Sequence, residues 1–245
     1  MANAPRRDVA LLQLLPNALT ITAIGAGLSA IRAAVEQDFK TAALLILFAA
    51  LLDGIDGRVA RMLGSHSKVG AELDSLADFV NFGVAAPLML YFWALQDYRK
   101  IGWIAVLIFA VCCVLRLARF NVDAKSAAPG PKADHFVGVP SPAGAMLVLL
   151  PMFTSFAFAN AALLPDPLLC LYMAGIGLLM ISGIKTASFK TARIAPGNVR
   201  YVLLGVVVLI SAVLTYPWIT LVALCVAYIV AVLWGAMRRP ARDRT

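Results

Sequence analysis

Residues 51–78 read LLDGIDGRVARMLGSHSKVGAELDSLAD and place four aspartates, Asp53, Asp56, Asp74 and Asp78, in an otherwise apolar part of the chain. A carboxylate at membrane depth must pair, bind a cation or face water, so a group of four is a functional signal. Asp53 and Asp56 are three residues apart and Asp74 and Asp78 four, which puts each pair on one face of a helix. A turn at Gly64-Ser65-His66-Ser67 brings Asp53 level with Asp78 and Asp56 level with Asp74. The spacing therefore predicts a helical hairpin that assembles the four carboxylates by itself.

The rest of the chain supplies the membrane context. At 62% hydrophobic and 14% charged, the 245 residues depart from soluble chains, which run about 45–50% apolar and about 25% charged. Apolar runs near 14–35, 41–62, 71–95, 101–122, 137–160, 163–184, 199–215 and 217–236 predict an all-α integral membrane protein, a helical bundle of about eight transmembrane helices. With both termini in the cytoplasm, only Arg32, Lys40, Arg99 and Lys100 of the 21 basic residues fall outside, as the positive-inside rule requires. The net charge of +8 is thus a topology signal and not a nucleic-acid footprint. Cys112, Cys113, Cys170 and Cys225 sit in apolar runs without metal or disulfide spacing. Arg6 and Arg7 ahead of an apolar run imitate a signal peptide, but the run continues to about Val35 and is read as the first span. The breaks at Asp123 to His135 and Lys185 to Arg200 are cytoplasmic loops, and RRPARDRT is a basic tail at the lipid headgroups.

Asp53 to Asp56 lie roughly 20–24 Å along the helix from Lys40, near the cytoplasmic headgroups of a layer about 30 Å thick. Oxygen ligands in this number suit Mg²⁺, Mn²⁺ or Ca²⁺ and not zinc, and four carboxylates can hold two ions about 3.5–4 Å apart, an arrangement suited to phosphoryl chemistry. Gly57 and Gly70 leave room for a bulky ligand beside the acids, and Arg61 offers a phosphate-compatible fork. Each has a packing alternative: Gly57 and Ala60 as a close helix contact, Arg61 as a snorkelling residue.

The same residues resemble the signature of the CDP-alcohol phosphotransferases, D-x2-D-G-x2-A-R-x8-G-x3-D-x3-D, on Asp53, Asp56, Gly57, Ala60, Arg61, Gly70, Asp74 and Asp78 without departure in identity or spacing. The resemblance implies a membrane homodimer with a six-helix core. It also implies two divalent ions held by Asp53, Asp56, Asp74 and Asp78, with Asp78 as general base toward the attacking alcohol and CMP as leaving group. Leu15-Pro16-Asn17-Ala18-Leu19-Thr20, the 78–87 run DFVNFGVAAP, Arg116 to Val122 (RLARFNV) and Phe136 to Pro142 (FVGVPSP) are similar to the bacterial membrane-integral phosphatidylserine synthases of that family. That likeness covers about residues 10 to 200. It implies CDP-diacylglycerol as donor, L-serine as acceptor and an inner-membrane location with the site facing the cytoplasm. Asn17, Thr20, Gly57, Ala60, Arg61, Gly70, Lys185 and Lys190 are then candidate donor-binding residues. The core is expected over 1–198, with two additional helices and the tail over 199–245.

A serine acceptor needs an arginine for its carboxylate, near the metal site. Arg119 and Asn121, with Arg116 one turn earlier, end the fourth span on the expected side, although all three can also serve as interface anchors. His66 and His135 are lone histidines without ligand spacing, and Glu72 lies on another face of its helix, where a helix N-terminal charge role fits better than ligation. Ser75 faces away from Asp74 and Asp78, so direct attack by the acceptor is expected. Two alternatives remain open from sequence: another acceptor such as glycerol 3-phosphate, and a cation transporter. Against transport, spans four to eight carry no comparable acid, and an ion path needs polar groups at more than one depth.

Overall fold

The computed structural model describes residues 11–63, 68–126, 135–158, 164–182, 185–187 and 199–237. Helices α1 (Leu11–Val35), α2 (Phe39–Met62), α3 (Lys68–Asp78), α4 (Ala86–Ala94), α5 (Arg99–Ser126), α6 (Ser141–Val148), α7 (Leu150–Ala157), α8 (Asp166–Ile181), α9 (Val199–Thr215) and α10 (Pro217–Met237) form the bundle. A π-helical turn, Phe79–Ala85, joins α3 to α4 as one rod, while α6 and α7 are two halves of another. Pro151, which has no N–H to donate, sits in the first turn of α7 and accounts for the break at Leu149. These rods follow the eight apolar runs. The stretches Leu15–Val35, Val69–Ala94, Arg99–Asp123 and Pro217–Trp234 are long and apolar enough to cross a membrane.

Lipid is as apolar as a leucine side chain, so burial alone does not bring such helices together; close packing does. The α1–α2 interface is accordingly lined by alanines, with Ala23, Ala26, Ala30, Ala33 and Ala34 facing Ala42, Ala43 and Ala49. Larger buried side chains, Phe82, Phe109, Met152, Phe153 and Met173, fill the space among the π turn, α5, α7 and α8. The outer surface is apolar instead: Leu44, Phe48, Ile104, Leu107, Leu171 and Leu178 are exposed, as a lipid-facing surface requires.

Two features go beyond the apolar pattern. The first is a small antiparallel sheet pairing β1 (His135–Val137) with β2 (Lys185–Ala187), where the sequence suggests only helix and loop. It clips the segment before α6 to the one after α8. Gly138 follows at φ +84°, and an added Cβ would stand 2.2 Å from the Met180 carbonyl oxygen, so only glycine fits this entry into α6. The second concerns the predicted hairpin. Among the described residues α2 and α3 share few direct contacts; both pack on α1, which forms their common platform. The turn at 64–67, with His66, lies outside the described residues.

Candidate active site

The last turns of α2, the second half of α3, the start of α1, the end of α5 and the start of α6 come together around one group of carboxylates. There Asp53, Asp56 and Asp74 each offer an oxygen, and the three oxygens lie within 4.8 Å of one another. Asp56 is buried, Asp53 half-buried and Asp74 exposed, so the cluster opens outward from α2. Asp78, one turn after Asp74, is half-buried beside Asp53, within hydrogen-bond reach of it.

The mutual repulsion of such a group has to be offset. The Thr20 hydroxyl on α1 directs its one proton to Asp56 Oδ2 at 2.6 Å, with the Pro16 carbonyl as a second, longer acceptor at 3.0 Å. Asp56 Oδ1 and Asp78 Oδ1 are buried with no hydrogen-bond partner among the described residues. Three convergent carboxylates, one fixed from behind and still presenting a lone-pair oxygen, fit a hard divalent cation. The cluster can therefore bind a metal ion.

Gly57 settles one of the packing alternatives within the chain. A Cβ built there meets no atom of the described residues within 4 Å, and Gly57 is exposed, so no contact among them demands a glycine. Arg61 is exposed as well, with its Nε donating to the Gly57 carbonyl at 3.1 Å. Ala60 and Gly70 are half-buried on α2 and α3, and Asn17 is half-buried one turn before Thr20. Lys185 lies in β2, paired with Val137, whereas Lys190 falls outside the described residues.

The residues singled out on α5 have different surroundings. Arg116 is half-buried, donates from Nη1 to Ser141 Oγ at 2.5 Å, and stands in electrostatic range of Asp78. Arg119 is exposed. Asn121 donates to Ser75 Oγ at 3.0 Å, a bond that ties α5 to α3. Ser75 thus uses its hydroxyl on the neighbouring helix, away from the carboxylate cluster. Glu72 is exposed on α3 and is not one of the three clustered acids.

Three residues at the site are not singled out by sequence reasoning. Asn81 is buried in the π turn with neither amide atom hydrogen-bonded among the described residues, and Gly27 lies so close that an added Cβ would stand 2.0 Å from Asn81 Oδ1. Ser141 starts α6 and receives Arg116. Tyr228 on α10 lies in electrostatic range of Arg116. Asn81 and Ser141 belong to the segments DFVNFGVAAP and FVGVPSP that carry the family likeness, which is a usable signal; Tyr228 sits in an apolar run that offers none.

Comparison with known proteins agrees with this geometry. The model of the CDP-alcohol phosphatidyltransferase family matches residues 13–172, from the start of α1 through the acidic cluster to α8. A Mycobacterium leprae protein named CDP-diacylglycerol--serine O-phosphatidyltransferase is 39% identical over 231 residues, 94% of this chain and 77% of that relative. Relatives of the same name from Helicobacter pylori (35% identical; 74% of this chain, 75% of the relative) and Bacillus subtilis (36%; 72% and 91%) are also similar. A membrane helix bundle whose acids converge at the spacing of the signature, matched over most of its length, belongs to the CDP-alcohol phosphatidyltransferase family.

Proposed function

We propose that the protein transfers the phosphatidyl group of CDP-diacylglycerol to the hydroxyl of L-serine, giving phosphatidylserine and CMP. The observation that carries this is the convergence of Asp53, Asp56 and Asp74 within 4.8 Å, with Asp78 beside them. Relatives named for this reaction cover 72–94% of the chain and support serine as the acceptor.

The carboxylates of Asp53, Asp56, Asp74 and Asp78 would hold two divalent cations, Mg²⁺ or Mn²⁺ with Ca²⁺ as a further candidate. When bound, the metal offsets charge on the diphosphate and on the departing phosphate. Thr20 fixes the Asp56 carboxylate, and Asn17, Gly57, Ala60, Arg61 and Gly70 are assigned to donor binding, as are Lys185 and Lys190, whose charge suits a lipid phosphate. Arg116 receives the acceptor carboxylate, while Arg119 and Asn121 border it. Asp78 takes the proton from the serine hydroxyl as its oxygen bonds to the β-phosphorus. The bond from that phosphorus to the bridging oxygen breaks, and the oxygen leaves with CMP.

In this reading residues 1–198 form the catalytic six-helix core and 199–245 add two helices and a basic tail. The enzyme works as a homodimer in a bacterial inner membrane, with both termini and the site on the cytoplasmic side, where the basic loops lie.

The test is CMP release by detergent-purified protein supplied with CDP-diacylglycerol and Mn²⁺ or Mg²⁺. Serine, glycerol 3-phosphate, inositol phosphate and choline are added separately. Release with serine alone, lost on chelation of the metal, is the expected result. Release with a different acceptor overturns serine, and release with none overturns the transferase.

A further inference from the structure

Helix α10 lies beyond the residues the family model matches, yet it reaches the acceptor side of the site. Trp218 anchors it on α7, packing against Phe153 and Phe156 at centroid distances of 6.3 and 4.9 Å. Further along, α10 runs beside α6 over an apolar cavity of about 180 Å³ lined by Ala143, Met146, Leu147, Leu221, Cys225 and Tyr228. The Cys225 thiol meets the Met146 carbonyl at 3.6 Å. That contact sets the register, so Tyr228, nearly one turn on, lies toward the start of α6. Ser141 is there, accepting from Arg116.

Three buried polar atoms around this point have no partner among the described residues: Asp78 Oδ1 from α3, Arg116 Nε from α5 and Tyr228 OH from α10. Arg116 stands in electrostatic range of both Asp78 and Tyr228. Buried polar groups in a bundle are normally satisfied, and an orphan set drawn from three helices points to one shared ligand. Two of the three are donors beside a fixed positive charge, which is what a carboxylate requires; the third is an acceptor able to take a hydroxyl proton. Serine carries both a carboxylate and a hydroxyl.

We infer that Tyr228, on a helix outside the catalytic core, joins Arg116 in gripping the α-carboxylate of the acceptor amino acid and so directs its hydroxyl at Asp78. This rests on serine being the acceptor. It gives α10 a function, as a wall of the acceptor pocket, and makes Tyr228 a specificity residue that the signature does not contain.

The experiment measures CMP release by the full-length enzyme in detergent with Mn²⁺, varying serine and CDP-diacylglycerol independently. Tyr228→Phe removes one hydrogen bond to a charged group and should raise the KM for serine about tenfold, with kcat and the donor KM within about twofold of wild type. Combined with Arg116→Lys, it should act less than multiplicatively, because both changes weaken one carboxylate site. Tyr228→His, which restores a donor, should recover part of the serine affinity, a recovery that a packing role would not give. The inference is overturned by an unchanged serine KM, or by kcat and both KM values shifting together with a lowered melting temperature in both variants. A wild-type enzyme that ignores serine and uses another acceptor defeats the serine assignment itself; a wild type that uses serine while Tyr228→Phe behaves identically defeats only the role of Tyr228.

Discussion

Thr20 and Asp56 are joined by a 2.6 Å hydrogen bond between α1 and α2, and this bond links the most extensive helix contact in the bundle to the carboxylate cluster. The hydroxyl takes one oxygen of Asp56 and leaves Oδ1 without a partner among the described residues. Groups that orient a ligating carboxylate usually matter about 10- to 100-fold in metal affinity or activity. Thr20→Val, similar in shape and lacking the hydroxyl, should therefore raise the Mn²⁺ concentration for half-maximal CMP release by about tenfold. Metal titration of the purified variant checks this; an unchanged midpoint would show that Asp56 needs no support from α1.

Gly57 separates folding from function. A Cβ there meets nothing within 4 Å, so Gly57→Ala introduces no clash and gains up to about 1 kcal/mol of helix propensity. The melting temperature should hold or rise. The open space beside the acids is where the proposed donor approaches, so the KM for CDP-diacylglycerol should rise about tenfold. An enzyme more stable and equally active would remove Gly57 from the donor site.

Asp78 and the clustered acids should differ in kind. Asp78→Asn keeps the shape but cannot take a proton, and loss of a positioned base typically lowers turnover by about 10²- to 10⁴-fold. Asp56→Asn and Asp74→Asn should act chiefly on the metal requirement, with activity partly restored at high Mn²⁺. If excess metal rescued Asp78→Asn fully, Asp78 would serve as a ligand alone and not also as the base.

Much of this is legible in the residues, for reasons that also set the limit. Apolar runs bounded by charge and proline mark spans directly, because a bilayer tolerates little else, and the helices keep close to those bounds. The aspartates are legible because a carboxylate in such a run is costly unless a cation, a partner or water meets it. The contribution of α1 is not, since the Thr20 to Asp56 bond joins residues 36 apart in sequence, and local spacing says nothing about which third helix backs a pair. The π turn at Phe79–Ala85 has no periodic signature of its own, and its extra residues per turn change which side chains face inward, burying Asn81. The three-residue strands β1 and β2 are too short for alternation to register. Tyr228 is one aromatic residue among many in an apolar span, and only its proximity to Arg116 sets it apart.

Gly27 puts the coupling between packing and site to a direct test. Its Cα lies against Asn81, where an added Cβ would stand 2.0 Å from Oδ1, 3.0 Å from Cγ and 3.3 Å from the Asn81 Cα. The amide could rotate aside, but the Cα belongs to the π turn, which begins directly after Asp78, so relief requires moving backbone next to the proposed base. Overpacking of this kind costs about 1–3 kcal/mol. Gly27→Ala should lower the melting temperature and reduce kcat. Gly25→Ala, two residues earlier on the same helix with nothing within 4 Å of its Cβ, should leave the melting temperature unchanged or higher and kcat intact. Equal behaviour of the two variants in a thermal melt and a CMP-release assay would mean that the close approach of α1 to the π turn has no part in positioning Asp78. A loss confined to Gly27→Ala would make the fit between glycine and asparagine the means by which the α1 platform sets the catalytic carboxylate.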